Sequence, residues 1–141
     1  MKCRIFLDTN VFIYGFEYKD SNSAKVLTLL NNGEVEGVIS EQVVKEVVRY
    51  FQKYHTKELA NLFRRYLFHS CLIVRNEQLK DVMREYSGKI KDKDLEQLAA
   101  TKKLGIKFLV SYDEDFEPFE EYIKPKAFIA KMNQKPAETE Y

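Results

Sequence analysis

The chain carries only 5 glycines in 141 residues, none of them clustered, and this scarcity excludes the Gly-rich turns on which P-loop and dinucleotide-binding sites are built. It has 2 cysteines, Cys3 and Cys71, each inside an apolar run and without a partner at zinc-ligand or disulfide-framework spacing. Both read as small core residues, and a reducing cytoplasm is the expected location. An excess of charge of one sign is missing too, because Lys+Arg 23 against Asp+Glu 22 leaves a net charge of +1. No global field then pulls the protein toward nucleic acid or a membrane, and charge-driven binding has to come from local patches. No apolar run approaches the roughly 20 residues that a membrane-spanning helix needs, and no basic leader precedes a long apolar stretch, so neither targeting nor anchoring is expected.

What is present is an alternation of two periodicities. Arg4 to Leu7 is a short apolar run of the kind found in buried parallel strands. From Ser21, Ala24, Val26, Leu27, Leu29 and Leu30 recur at helical intervals up to Asn31-Asn32-Gly33. Val38-Ile39 predicts a second strand, and Ser40 is a fair N-cap for a helix carrying Val43, Val44, Val47, Val48 and Phe51. A helix through Leu59, Leu62, Phe63, Tyr66 and Leu67, a strand Cys71–Val74 and a helix through Leu79, Val82, Met83 and Tyr86 follow. Asp94 opens one more helix through Leu104 to Gly105, Phe108–Val110 is a strand, and Ala127-Phe128-Ile129 predicts a weak last strand. The pattern predicts an α/β fold, a three-layer sandwich with a mostly parallel central sheet. One domain over residues 1–131 is expected, with residues 132–141 as a polar, frayed tail.

In such sheets ligands bind beyond the carboxyl ends of the strands. Asp8 follows the first strand and Asp113 a later one, so two carboxylates from distant parts of the chain should share one edge. Glu46, on the helix after the second strand, and Asp94, at the start of the helix before Phe108, can reach the same edge. Four acids together repel one another and call for a hard divalent cation with oxygen ligands, Mg²⁺ or Mn²⁺.

The segments FLDTNVFIY, ISEQVVKEVVRYF, DLEQLAATKKLG and FLVSYDEDF resemble the four acidic blocks of the PIN-domain family, in order, over residues 3 to 116. PIN domains are metal-dependent ribonucleases, often the toxins of toxin-antitoxin pairs. The resemblance implies a hydrolase that cuts single-stranded RNA, an antitoxin protein as a partner, and Asp8, Glu46, Asp94 and Asp113 as catalytic, metal-holding acids. Thr9, Asn10 and Ser111 are then neutral groups suited to orient those ligands or touch a phosphate. Asp115 is an accessory candidate beside Asp113, and Asp92 an extra one two residues before Asp94.

Each residue also has a plain structural reading. Asp8 can begin a turn, Glu46 can be a solvated helix residue, and Asp94 can serve as a helix N-cap without ceasing to be a ligand. Asp92 stands between Lys91 and Lys93, which can solvate and partly neutralise it. Lys45, Arg49 and Lys53 recur along one helix face as a solvated surface or as a phosphate-tracking rim. Tyr14 and Phe16 are expected to pack rather than stack a base, and Phe63, Tyr66 and Leu67 offer the face for a homodimer. A phosphorylatable receiver domain would need adjacent acids after the first strand, and these are absent. The non-enzyme alternative is a PIN fold with a silent site that serves as an RNA-binding or assembly module.

Overall fold

A computed structural model describes residues 2–141. Its elements alternate along the chain: β1 (Cys3–Leu7), α1 (Thr9–Glu17), α2 (Asn22–Asn31), β2 (Val35–Ser40), α3 (Glu41–Tyr54), α4 (Lys57–Ser70), β3 (Cys71–Val74), α5 (Lys80–Tyr86), α6 (Asp92–Lys103), β4 (Phe108–Val110), β5 (Tyr122–Ile123) and α7 (Pro125–Lys131). Short 3-10 turns at Asn76–Leu79 and Glu114–Phe116 complete the path. The five strands run parallel in the order β3-β2-β1-β4-β5. The sheet is thus wholly parallel, and the sandwich expected from the alternation is the fold observed.

Strand composition explains the layering. Ile5, Phe6 and Leu7 in β1 are all fully buried, so side chains on both faces of the strand are covered, as parallel sheets require. On one face α1, α2, α3 and α4 pack in succession, with α7 against α2; on the other, α6 lies across β1, β2 and β4 and is covered by α5. Right-handed crossovers impose this division, because the chain walks outward from β1 to β3 and then returns past β1 to β4. The reversal makes the gap between the ends of β1 and β4 a switch point, where a crevice forms.

Three differences from the sequence expectations have physical causes. Residues Ala127–Ile129 are helical within α7 rather than a strand, because Pro125 at the first helical position presets the turn and Phe128 then packs edge-on against Phe108 at 5.5 Å. The real last strand, β5, has only two residues, too few for any periodicity to register. The end of the chain is docked rather than frayed. Asn22, fully buried, accepts from Ala137 N at 2.7 Å and donates to the carbonyls of Ala137 and Thr139, while the Tyr141 ring stacks on Tyr14 at 4.2 Å.

The proposed dimer face is also largely used up inside the fold. Leu67 is fully buried, Phe63 stacks on Phe51 at 4.1 Å, and Tyr66 donates to Asn31 at 2.7 Å. Tyr14 and Phe16 pack as expected, the latter edge-on to Phe51 and Phe63.

Gly37, in β2, is held to its size by three neighbours: an added Cβ would lie 2.8 Å from Leu30 Cδ1, 3.1 Å from Cys71 Sγ and 3.2 Å from Leu7 Cδ1. Gly37→Ala should therefore cost about 1–3 kcal/mol of stability through overpacking. Urea unfolding measures this, and a midpoint equal to or above that of the wild type would contradict the packing described.

Candidate active site

The site grows from two strand ends. Asp8 immediately follows β1, where its N–H still continues the sheet by donating to Val110 O at 3.1 Å. Its carboxylate caps α1, accepting from Thr9 N at 2.8 Å, and its second oxygen accepts from Ser111 Oγ at 2.7 Å across the gap to the end of β4. Ser111 Oγ in turn accepts from Asp113 N at 2.9 Å, and Asn10 Oδ1 accepts from Tyr112 N at 3.5 Å. Thr9 Oγ1 donates to Glu46 Oε1 on α3 at 2.7 Å. The three neutral residues singled out in the sequence thus tie together the chain segments that carry the acids.

Asp94 and Asp113 meet through a lysine. Lys93 Nζ lies 3.0 Å from Asp94, 2.9 Å from Asp113 and 3.6 Å from Asp115. Asp94, Asp113 and Asp115 each present a carboxylate oxygen within 4.8 Å of the others'. This trio differs from the expected quartet, because Asp115 belongs to it while Asp8 and Glu46 stand beside it. Their nearness is electrostatic: the charge of Asp8 raises the pKa values of both Asp94 and Glu46, and that of Asp113 raises Asp8.

Burial dominates the titration of these groups. Asp8 is 5% exposed and Asp94 4%. Desolvation raises the pKa of Asp8 against the opposing bonds from Ser111 and Thr9. It raises Asp94 to about 6, with Lys93 opposing and Asp113 assisting, and it raises Glu46 against the bond from Thr9. Burial acts in the same direction on Asp113, but the bonds from Asp115 N and Lys93 outweigh it and leave that carboxyl below its ordinary value. Lys93 loses some basicity to burial and regains more from Asp113 and Asp94, so its proton is held more firmly than in a free lysine.

Asp92 is exposed and opens α6, two residues ahead of buried Asp94. The N-cap of α6 is Lys91, so Asp94 sits in the first turn rather than at the cap. The flanking lysines also have other partners than Asp92, since Lys91 pairs with Asp115 at 3.3 Å and Lys93 with the trio. The role of Lys93 escaped the sequence reading, because an i, i+1 Lys-Asp pair carries no signal until the Glu114–Phe116 turn folds against it.

Two further residues of α6 were missed. Gln97, one turn after Asp94 and buried, favours the charged form of Asp8, and its Oε1 has no hydrogen-bond partner among the described residues. Glu96 is buried but committed elsewhere, accepting from Gln42 N at 2.7 Å and from Asn76 Nδ2 at 2.5 Å. It ties α6 to the start of α3 and to the Asn76–Leu79 turn. An unbroken buried stretch from Asp94 to Thr101 hides such polar residues within an otherwise apolar pattern.

A hard cation fits the residues present. The donor set is all oxygen, and the carboxylates of Asp94, Asp113 and Asp115 converge. Among the described residues no helix is long and apolar enough to cross a membrane.

Comparison with known proteins agrees with this geometry. No curated protein matches the chain. Solved structures do: a toxin-antitoxin complex from Klebsiella pneumoniae, at 20% identity over 86% of this chain and 97% of that one, superposes with a TM-score of 0.63. The sarcin-ricin-loop-cleaving toxin VapC20 of Mycobacterium tuberculosis, at 16% identity over 81% and 93% of the two chains, gives 0.62. DNA-bound VapBC from Salmonella typhimurium, at 14% identity over 87% and 98%, gives 0.62. At these identities the likeness is one of fold. The PIN domain family model matches residues 4–115, across every acid described above, and the chain therefore belongs to the PIN-domain family.

Proposed function

We propose that this protein is a metal-dependent endoribonuclease that hydrolyses phosphodiester bonds of single-stranded RNA, acting as the toxin of a toxin-antitoxin pair. The observation that carries the reading is the trio Asp94, Asp113 and Asp115, with Asp8 beside it at the β1/β4 switch point. Family membership supports the nuclease class. Asp8, Asp94 and Asp113, with Asp115, are assigned as the ligands of Mg²⁺ or Mn²⁺, and Glu46 completes the acidic pocket. A divalent ion bound there supplies a water of lowered pKa and neutralises charge on the phosphoryl oxygens. Thr9 and Ser111 hold Glu46 and Asp8 in place, and the amide of Asn10, bonded to Tyr112 N, fixes the strand end that carries Asp113.

Lys45, Arg49 and Lys53 lie exposed along α3, the helix that carries Glu46, and are assigned to the RNA backbone. The similar structures described as toxin-antitoxin complexes support an antitoxin partner. We assign a homodimer to exposed Phe68 at the end of α4 and Leu72 on edge strand β3, 58% and 53% exposed. Light scattering on the purified protein tests that state.

The two neighbouring acids of α6 separate the active reading from that of a silent binding module. Removing a metal-ligand carboxylate costs several kcal/mol in the transition state, so Asp94→Asn should lower cleavage of labelled single-stranded RNA by about a hundredfold or more. Asp92→Asn should leave it within about threefold, because Asp92 lies outside the trio. Equal rates in the two mutants would remove Asp94 from the site, and wild-type cleavage that persists in EDTA would remove the metal.

Mn²⁺ should raise the melting temperature by several degrees, since the carboxylate cluster exists only in the folded state, and Asp8→Asn should abolish most of the gain. A gain of wild-type size in Asp8→Asn would detach Asp8 from the centre.

The same measurement has a pH signature. Asp94, raised from 3.8 to about 6, binds a proton in the folded metal-free protein that the unfolded chain releases in that window. The contribution of Asp94 to metal-free stability therefore grows as pH falls from about 6 toward 3.8, opposite in sign to that of Asp113, whose pKa is lowered, while the metal must compete with the Asp94 proton. The Mn²⁺-induced gain should shrink as pH drops through about 6, and a gain unchanged down to pH 4 would contradict the assignment of Asp94.

A further inference from the structure

We infer that Lys93 is a built-in counter-cation of this site: its ammonium occupies the place of a divalent ion among Asp94, Asp113 and Asp115, and a metal binds only by displacing it. The inference rests on the metal-centre reading above and adds a residue that the reading does not contain.

The geometry is that of a ligand shell closed around the wrong cation. Lys93 Nζ contacts Asp94 at 3.0 Å, Asp113 at 2.9 Å and Asp115 at 3.6 Å, and these are the three acids whose oxygens gather within 4.8 Å. An ion drawn to the same oxygens would meet the ammonium first. The lysine stem is built to leave, because the side chain is 58% exposed whereas those of Asp94 and Asp113 are 5% and 22% exposed. A compact charge on a flexible four-carbon stem can turn to solvent while its partners remain fixed by the fold.

The placement of Lys93 is otherwise unfavourable. It is the second residue of the 12-residue helix α6, where the positive end of the helix dipole disfavours a cation and favours the acids that flank it. The contacts with Asp94 and Asp113 are what offset that cost. Lys91 provides the contrast, since among the described residues it pairs with Asp115 alone, at 3.3 Å, and is 67% exposed. Both lysines place a positive charge near the trio, but only Lys93 stands within it.

Calorimetric titration of Mn²⁺ into the wild type, Lys93→Met, Lys93→Gln, Lys93→Arg and Lys91→Met, paired with metal-free melting temperatures, tests the inference. Lys93→Met and Lys93→Gln should lower the metal-free melting temperature and bind Mn²⁺ at least about tenfold more tightly than the wild type. Lys93→Arg should bind no more tightly than the wild type, and Lys91→Met should stay within about threefold of it. Tightening is the opposite of what loss of a merely structural contact would produce. Wild-type affinity in Lys93→Met and Lys93→Gln would overturn the inference while leaving the metal centre standing, and so would a Lys91→Met effect as large as theirs. Absence of Mn²⁺ binding in all five proteins would overturn the metal centre and the inference together.

Discussion

The constraint on which the structure turns is the gathering of like charges at the end of a buried sheet. Asp8 and Asp94 are almost wholly buried, and Asp113 stands close enough to raise the pKa values of both. Such an arrangement opposes folding unless something compensates it, because an unpaired buried charge is costly and a second one beside it costs more. The strands, the switch point and the first turns of three helices are arranged so that the compensation is partial. What remains is a concentration of negative charge, which is the basis of the metal centre proposed above.

Compensation comes in three forms. Hydroxyl donors are short and neutral: Ser111 holds one oxygen of Asp8, and Thr9 holds Glu46. Helix starts supply the second form, since α1 begins on Asp8, α3 on Ser40 and α6 on Lys91, each at the sheet edge where the acids lie. Lys93 is the third, and the only full positive charge in contact with both Asp94 and Asp113 among the described residues. The first two are permanent, as backbone and packed side chains cannot leave. An ammonium on a half-exposed stem can, and this divides the site into a fixed scaffold and an exchangeable cation.

The rest of the molecule rigidifies that edge. Glu96, buried on α6, bonds to the start of α3 and to the Asn76–Leu79 turn, and so ties together the two helices that bear Asp94 and Glu46. On the other face, Tyr112, between Ser111 and Asp113, bonds to Ser23 at 2.6 Å and to Tyr141 O at 3.0 Å, which anchors the second strand end to α2 and to the docked tail. Neighbours held in this way fix the positions of the carboxylates through the fold itself.

Local chemistry made much of this legible in the sequence. Buried parallel strands are short apolar runs, helices repeat at 3.6 residues, and an Asp directly after such a run lands at the carboxyl edge of the sheet; the positions of Asp8 and Asp113 at strand ends were legible in this way, whereas the choice of Glu46 leaned on the resemblance to the PIN-domain blocks. The tertiary structure decided what depends on contacts between distant segments. It made Asp115 a member of the trio and left Asp92 outside, because the Glu114–Phe116 turn folds toward α6. It placed Lys93 among the acids, buried Gln97 and Glu96 within α6, and bound the polar tail through Asn22. Sequence periodicity records which face of an element is dry, whereas the partner of a charged side chain is set by the lowest electrostatic energy in three dimensions, and only the folded chain fixes those distances.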